Sequence, residues 1–517
     1  MIPSSRSLRS LAFTPLFLAG IVVNVASAQV EPPPTMTVPY VHDTGWRTNT
    51  ARTSKVIHSV QVHNADAHWL RLYFDEVDLG GDELAGTGAI VRITSYEDGD
   101  VQELSASTIH QWNNSSAYLN GHTVQVEIVA PPGIGGRFEL KEIDCGLAAP
   151  DEPSICGVDD REFSADPRVA RLLPVGCTGW LINDCDHCML TAGHCSGNLG
   201  VAQFNVPKSK PSGALNHPAA IHQYSVDGSS LQTNGGQGVG SDWAHFGTFT
   251  NSNTGLTAYQ GQGEAFTLVN PPGTSGTDIR ITGHGTDSSR ENQAQQTEVG
   301  PMAVSNGTTI GYVTDTTGGN SGSPVIWEQT NQAIGIHTHG GCTSGGGNNW
   351  GTGANHNSLQ AAINSPNGVC GCGGPGGPTV LFSDGFESGN FTSGGWTLIT
   401  NRPRVKSGAW NSGLLGARVR NTSGIERGIN TSGFSNIRLF YARKTRNFEA
   451  GEKLTVDWFD GSSWHVLETT ATTSWGEVDF NLPNAASNNS NFRIRFSTDA
   501  NEGKERGDVD DVLVIGS

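Results

Sequence analysis

Thr317-Gly318-Gly319-Asn320-Ser321-Gly322-Ser323-Pro324-Val325 is the stretch on which the reading of this chain turns. Two glycines precede a serine, and Gly-Ser-Pro follows it. Glycine permits positive φ, so successive N–H groups can be turned the same way. Such paired donors stabilise a tetrahedral oxyanion, here from the N–H groups of Gly319 and Ser321. The Ser321 hydroxyl is then the expected nucleophile. The same residue types also make plain turns between strands, so the stretch needs partners elsewhere in the chain.

Two further segments supply them. Met189-Leu190-Thr191-Ala192-Gly193-His194-Cys195 is an apolar run ending in a small-residue turn with a histidine. Ser241-Asp242-Trp243-Ala244-His245-Phe246 places an aspartate at the head of an apolar strand. A serine hydroxyl needs a base to take its proton, and the base needs an acid to fix its tautomer. His194, Asp242 and Ser321 provide base, acid and nucleophile, in the order His, Asp, Ser. Each motif is weak alone; together they are specific.

From about Gly157 to Ile363, two fifths of its length, the chain resembles the chymotrypsin-like serine peptidases. LTAGHC, SDWAHF and GNSGSP are the segments that carry the resemblance. TTGGNSGSPV followed by AIGIH is similar to the bacterial glutamyl endopeptidases. CTGWLI and LTAGHC, with GSPV and GGC, are also similar to the bacterial lysyl endopeptidases. Asn320 stands where the animal digestive enzymes have an aspartate, and no Ile-Val-Gly-Gly start is present. Activation by a new N-terminal amine is therefore not expected.

The resemblance implies a pocket but leaves its preference open. His337 falls where glutamyl endopeptidases bind a substrate carboxylate, and Thr316 matches a pocket threonine of that group. Asp315, six residues before Ser321, falls where trypsin-like enzymes receive Lys or Arg. A carboxylate there would repel an acidic side chain strongly in a low dielectric. Asp315 is expected either in the pocket, or paired with His337, or turned outward. His339 replaces an aromatic common in this wall. The acidic preference at P1 (the residue before the cut bond) is the leading expectation and a basic one the alternative. A secreted binding protein without catalysis, using its flanking domains, is the third reading.

Composition fits export. The chain has 517 residues, with Lys+Arg 31 against Asp+Glu 49 and a net charge of -18, which favours neither nucleic acid nor an anionic membrane as partner. Arg6 and Arg9 precede an apolar run from Leu11 to Val25, too short to span a bilayer, and Ala26-Ser27-Ala28 is a small-residue cleavage signal. Residues 1–28 therefore read as a signal peptide of a secreted protein. Nine cysteines suit an oxidising compartment. Cys185 and Cys188, with His187 between them, are read as disulfide-forming rather than zinc-binding, since no second Cys-x-x-Cys pair accompanies them. By the resemblance, Cys177 pairs with Cys195, and Cys342 with Cys145 or Cys156. The odd count leaves one thiol over.

The expected fold is all-β. Period-two segments such as Val124–Val129 and Leu70–Phe74, separated by turns like Asn120-Gly121, make residues 29–150 an N-terminal β-sandwich and candidate prodomain. Its removal would cut near Ala148 to Arg161. Residues 151–370 are the double β-barrel, with a short helix at Ser358 to Ile363. A Gly/Pro linker covers 371–379. Residues 380–517 form a second sandwich, which resembles the jelly-roll modules of secreted bacterial hydrolases. No metal or cofactor is expected at the site. Asp384, Glu387, Asp508, Asp510 and Asp511 suit structural calcium or a solvated edge. Proteins or peptides are the expected substrates, and the C-terminal sandwich is expected to hold polysaccharide or substrate protein.

Overall fold

The computed structural model describes residues 27–28, 30–83, 86–147, 155–371, 379–400, 402–411 and 415–516. Most of the expected signal peptide, most of the linker and residues 148–154 of the expected maturation region lie outside the described residues. The remainder is all-β, as the period-two patterning predicts.

Two antiparallel sheets form the N-terminal sandwich. In one, Gly135–Gly146 lies between Thr35–Asp43 and Trp69–Leu79. In the other, Thr123–Ala130 lies between Lys55–His63 and Ile90–Ser95. Val124, Val126 and Ile128 alternate inward and are fully buried, as a strand with one covered face requires. The core also takes in Leu173, Val201, Leu215 and Ala220 of the following domain. Gln223 fixes this junction, its amide accepting from Tyr118 N at 3.0 Å and donating to Tyr118 O at 2.8 Å.

The central domain is two closed six-stranded barrels. The first contains β1 (Val169–Pro174), β2 (Cys177–Leu181), β3 (Met189–Thr191), β4 (Leu199–Gln203), β5 (Gln223–Thr233) and β6 (Ala244–Thr248), in the order β1-β2-β3-β6-β5-β4. The second contains β7 (Asp278–Gly283), β8 (Gln296–Asn306), β9 (Thr309–Tyr312), β10 (Pro324–Trp327), β11 (Gln332–Gly340) and β12 (Asn349–Gly353), and the β11–β12 pairing closes it. Ile326, Ala333 and Ile336 of the second barrel share an apolar cluster with Leu172, Trp180 and Phe246 of the first. α1 (Asn357–Asn364) follows the second barrel and buries Leu359 and Ala362.

Disulfides join Cys177 to Cys195, Cys156 to Cys342 and Cys188 to Cys370. Among the described residues Cys145 is the free thiol, buried in the N-terminal sandwich. Cys156 rather than Cys145 therefore meets Cys342, and Cys188 reaches the end of the barrel domain rather than its neighbour Cys185.

In the C-terminal sandwich, Arg506–Gly516 is central to one sheet and Arg493–Thr498 to the other. The acids suggested for calcium already have protein partners. Arg418 pairs with Asp508 at 2.7 Å, Asn411 N donates to Asp510 at 2.7 Å, and Asn411 Nδ2 donates to Asp511 at 3.0 Å. Asp384 accepts from Trp396 Nε1 and Phe386 N, both at 2.7 Å, and Glu387 accepts from Leu415 N at 2.6 Å.

Candidate active site

Three segments of unlike structure meet where the barrels touch. His194 sits in the 3-10 turn Gly193–Asn198, just after β3. Asp242 lies two residues before β6, and Ser321 lies in the loop between β9 and β10. His194 Nδ1 is 2.6 Å from Asp242 Oδ2, and His194 Nε2 is 2.8 Å from Ser321 Oγ. Asp242 Oδ1 also accepts from the His194 backbone N–H at 3.1 Å. Asp242 is 1% exposed, and Thr352 Oγ1 of β12 accepts from its backbone N–H at 2.9 Å. The ring is thus held at both ends, with one face of its turn fixed through the same carboxylate.

The loop bearing Ser321 is held by the opposite barrel. Thr178 N donates to Ser321 O at 2.8 Å, Thr178 Oγ1 to Gly319 O at 2.9 Å, and Trp180 Nε1 to Gly322 O at 2.9 Å. Residues two apart in a strand share a face, so β2 presents Thr178 and Trp180 together to this loop. Gly319 has φ +95 and Gly322 φ +92, both in the region that favours glycine. A Cβ on Gly319 would also come within 2.5 Å of His284 O. The loop thus requires glycine for conformation and for space.

Of the specificity candidates, His337 and Thr316 are both fully buried. His337 Nδ1 is 2.7 Å from Tyr312 Oη. Burial, and then the neighbouring His339 and His194, push His337 down to about 3, so its ring is neutral near pH 7. Asp315 is 3% exposed, and backbone donors rather than His337 hold its carboxylate. Its carboxylate accepts from Cys156 N at 2.6 Å and Asp160 N at 3.4 Å, and Glu298 accepts from its N–H. It ties the Cys156–Asp160 segment to the second barrel, beside the Cys156–Cys342 bridge. Burial, then the nearby Asp315 and Asp160, push Glu298 up to about 8.

Several contributors are not visible in sequence motifs. Tyr312 reads only as a strand residue. Thr178, Trp180 and Thr352 reach the site through register, which no local spacing encodes. His339 lies with its ring centroid 5.8 Å from that of His194 and its Nδ1 4.0 Å from Asp242 Oδ2.

No family model matches the chain, and no curated protein does. Among solved structures it is similar to a Glu endopeptidase in complex with MPD, with 24% identity, 41% of this chain and 98% of that one covered, and a TM-score of 0.33. It is also similar to the secreted serine protease VesC from Vibrio cholerae, with 10% identity, 69% and 99% covered, and a TM-score of 0.28. A third similar structure is TmCBM61 in complex with beta-1,4-galactotriose, with 15% identity, 26% and 94% covered, and a TM-score of 0.22.

Proposed function

We propose that the chain is a secreted serine endopeptidase acting through an acyl-enzyme. The observation that carries this reading is the hydrogen-bonded series Asp242–His194–Ser321, at 2.6 and 2.8 Å. Ser321 Oγ attacks the peptide carbonyl while His194 Nε2 takes its proton. Asp242 holds the ring and stabilises the imidazolium that forms. The N–H groups of Gly319 and Ser321 receive the oxyanion. His194 then protonates the departing amine, and water repeats the sequence on the ester. Ser321→Ala is expected to abolish labelling by a fluorophosphonate and to lower peptide hydrolysis by several powers of ten. A folded wild-type protein that takes no label would favour the non-catalytic binding reading.

An acidic P1 residue fits the pocket better than a basic one. The Asp315 carboxylate, the feature that supported a basic preference, is occupied by backbone N–H groups. Because His337 is neutral, it would meet a substrate carboxylate as a hydrogen-bond donor rather than as a cation. Peptides with Glu, Lys, Arg and Phe at P1 test this, and faster cleavage after Lys would reverse it.

The C-terminal sandwich is proposed to bind the substrate or its surroundings. Arg495 lies 3.9 Å over the Trp464 ring and Arg493 5.7 Å from that of Phe459. Truncation at the Gly/Pro linker should spare small-peptide hydrolysis and impair attack on insoluble substrate.

A further inference from the structure

The chain's own first described residues lie against the cleft. Ser27 and Ala28 pair antiparallel with Gly340 and His339 at the end of β11. β10 accompanies β11 only as far as Ile336, whereas β12 still pairs with His339 through Trp350. The edge that β10 leaves is therefore the one taken by residues 27 and 28. It is adjacent to the nucleophile, since Ser321 Oγ lies 3.3 Å from Thr338 O.

A second anchor follows on the far side. Glu31 N donates to Gly176 O at 2.9 Å, and Gln293 Nε2 donates to Glu31 O at 2.8 Å. Gly176 precedes β2, the strand that holds the Ser321 loop. A Cβ on Gly176 would run into the Glu31 carbonyl, and one on Gly318 would lie 2.9 Å from Glu31 Oε2. The two anchors lie on different barrels that both meet the Ser321 loop, Gly340 and His339 ending β11 and Gly176 preceding β2. Pro32, Pro33 and Pro34 come next, and Pro34 O accepts from Leu147 N at 2.9 Å where the N-terminal sandwich begins. A proline run is semi-rigid, so the sandwich holds the segment in place.

We propose that residues 30–34 are an inhibitory strap, held beside the Ser321 loop by the Glu31 bonds and restraining the site until displaced; in the unprocessed chain residues 27 and 28 add to it along the β11 edge. This rests on the peptidase reading. A peptide adds to a sheet edge through main-chain hydrogen bonds, as residues 27 and 28 do in the unprocessed chain, and residues 30–34 remain tethered beside the site in the same molecule. Its effective concentration is of millimolar order, so free peptides compete at a disadvantage. The Glu31 bonds lie beyond the expected cleavage after Ala28 and persist once the signal peptide is gone.

Glu31→Pro removes the N–H that meets Gly176 O, while Glu31→Ala keeps it. In the full-length exported chain, Glu31→Pro is expected to raise the rate of fluorophosphonate labelling and lower KM for a short peptide about tenfold, with kcat little changed. Glu31→Ala should stay near wild type. A synthetic peptide of residues 30–34 should inhibit Glu31→Pro competitively. Amide hydrogen exchange gives a readout independent of catalysis. In Ser321→Ala, residues 30–34 should be protected, and adding Glu31→Pro should remove that protection. Equal exchange with and without Glu31→Pro, or equal labelling and KM in active protein, overturns the strap. Protection with no labelling in any active-serine form instead overturns the peptidase reading and leaves the strap standing.

Discussion

Tyr312 Oη and His337 Nδ1 form a buried polar pair at 2.7 Å, and the bond helps to set the orientation of the His337 ring. Both residues are fully buried. Removing the phenol strands one imidazole nitrogen away from water, which costs about 1–3 kcal/mol. Tyr312→Phe therefore frees the ring to turn, and the loss should appear in recognition rather than in the acyl-transfer step. The expected result is a fall of about tenfold in kcat/KM for P1 Glu, equivalent to about 1.4 kcal/mol. Fluorophosphonate labelling should change little. An equal fall for P1 Phe would mean that the pair supports the nucleophile loop instead.

At the scale of elements, the β3 turn, the β6 approach and the β9–β10 loop were legible because each carries its chemistry in consecutive residues. Strands were legible through period two, as in Thr123–Ala130, and α1 through its short apolar spacing. Asp315 was not legible, because its partners Cys156 N and Asp160 N lie some 155 residues earlier and backbone donors have no signature in sequence. The grip of β2 on the Ser321 loop was hidden for the same reason. Disulfide partners were open because Cys156 and Cys145 are equivalent to a spacing argument, and only the fold separates them. The bridges differ in what they hold. Cys177–Cys195 closes a sequence separation of 18 and ends beside His194. Replacing both cysteines by alanine should cost about 3 kcal/mol by loop-closure entropy, and lower Tm by about 2–4 °C per kcal/mol. Activity should fall further than stability explains, because the His194 turn loses its tether. Replacing Cys188 and Cys370 should lower Tm with peptide hydrolysis largely retained at low temperature. Calorimetry and peptide turnover on both double variants check this contrast.

The two sandwiches also meet each other, across a junction rich in carboxylates. Glu387 N donates to Asp78 Oδ2 at 3.1 Å, and Arg137, with its side chain 2% exposed, pairs with Glu76, Asp43, Glu139 and Glu387. One guanidinium faces too many acids to neutralise them. Burial, then Asp384, Glu387 and Glu76, hold Asp78 well above the usual range. Burial likewise pushes Asp384 up to about 6, against the donors Phe386 and Trp396 and the nearby Arg427. Glu76 is pushed up to about 7 by burial and Glu387, with Asp511 adding and Arg137 opposing. In the unfolded chain these groups titrate near 3.8 and 4.5. Between those values and about 7 the folded junction keeps protons that the unfolded chain has released. Their contribution is full below about pH 4 and is lost as pH rises through about 6 and 7. Over this window the junction should therefore weaken with rising pH, opposite in sign to an ordinary salt-bridged carboxylate. A thermal scan of the full-length protein from about pH 4.5 to 7.5 should show Tm falling, and Asp78→Asn should flatten the slope because its amide needs no proton. A Tm that climbs across the same interval in both proteins would show that Arg137 satisfies the junction alone.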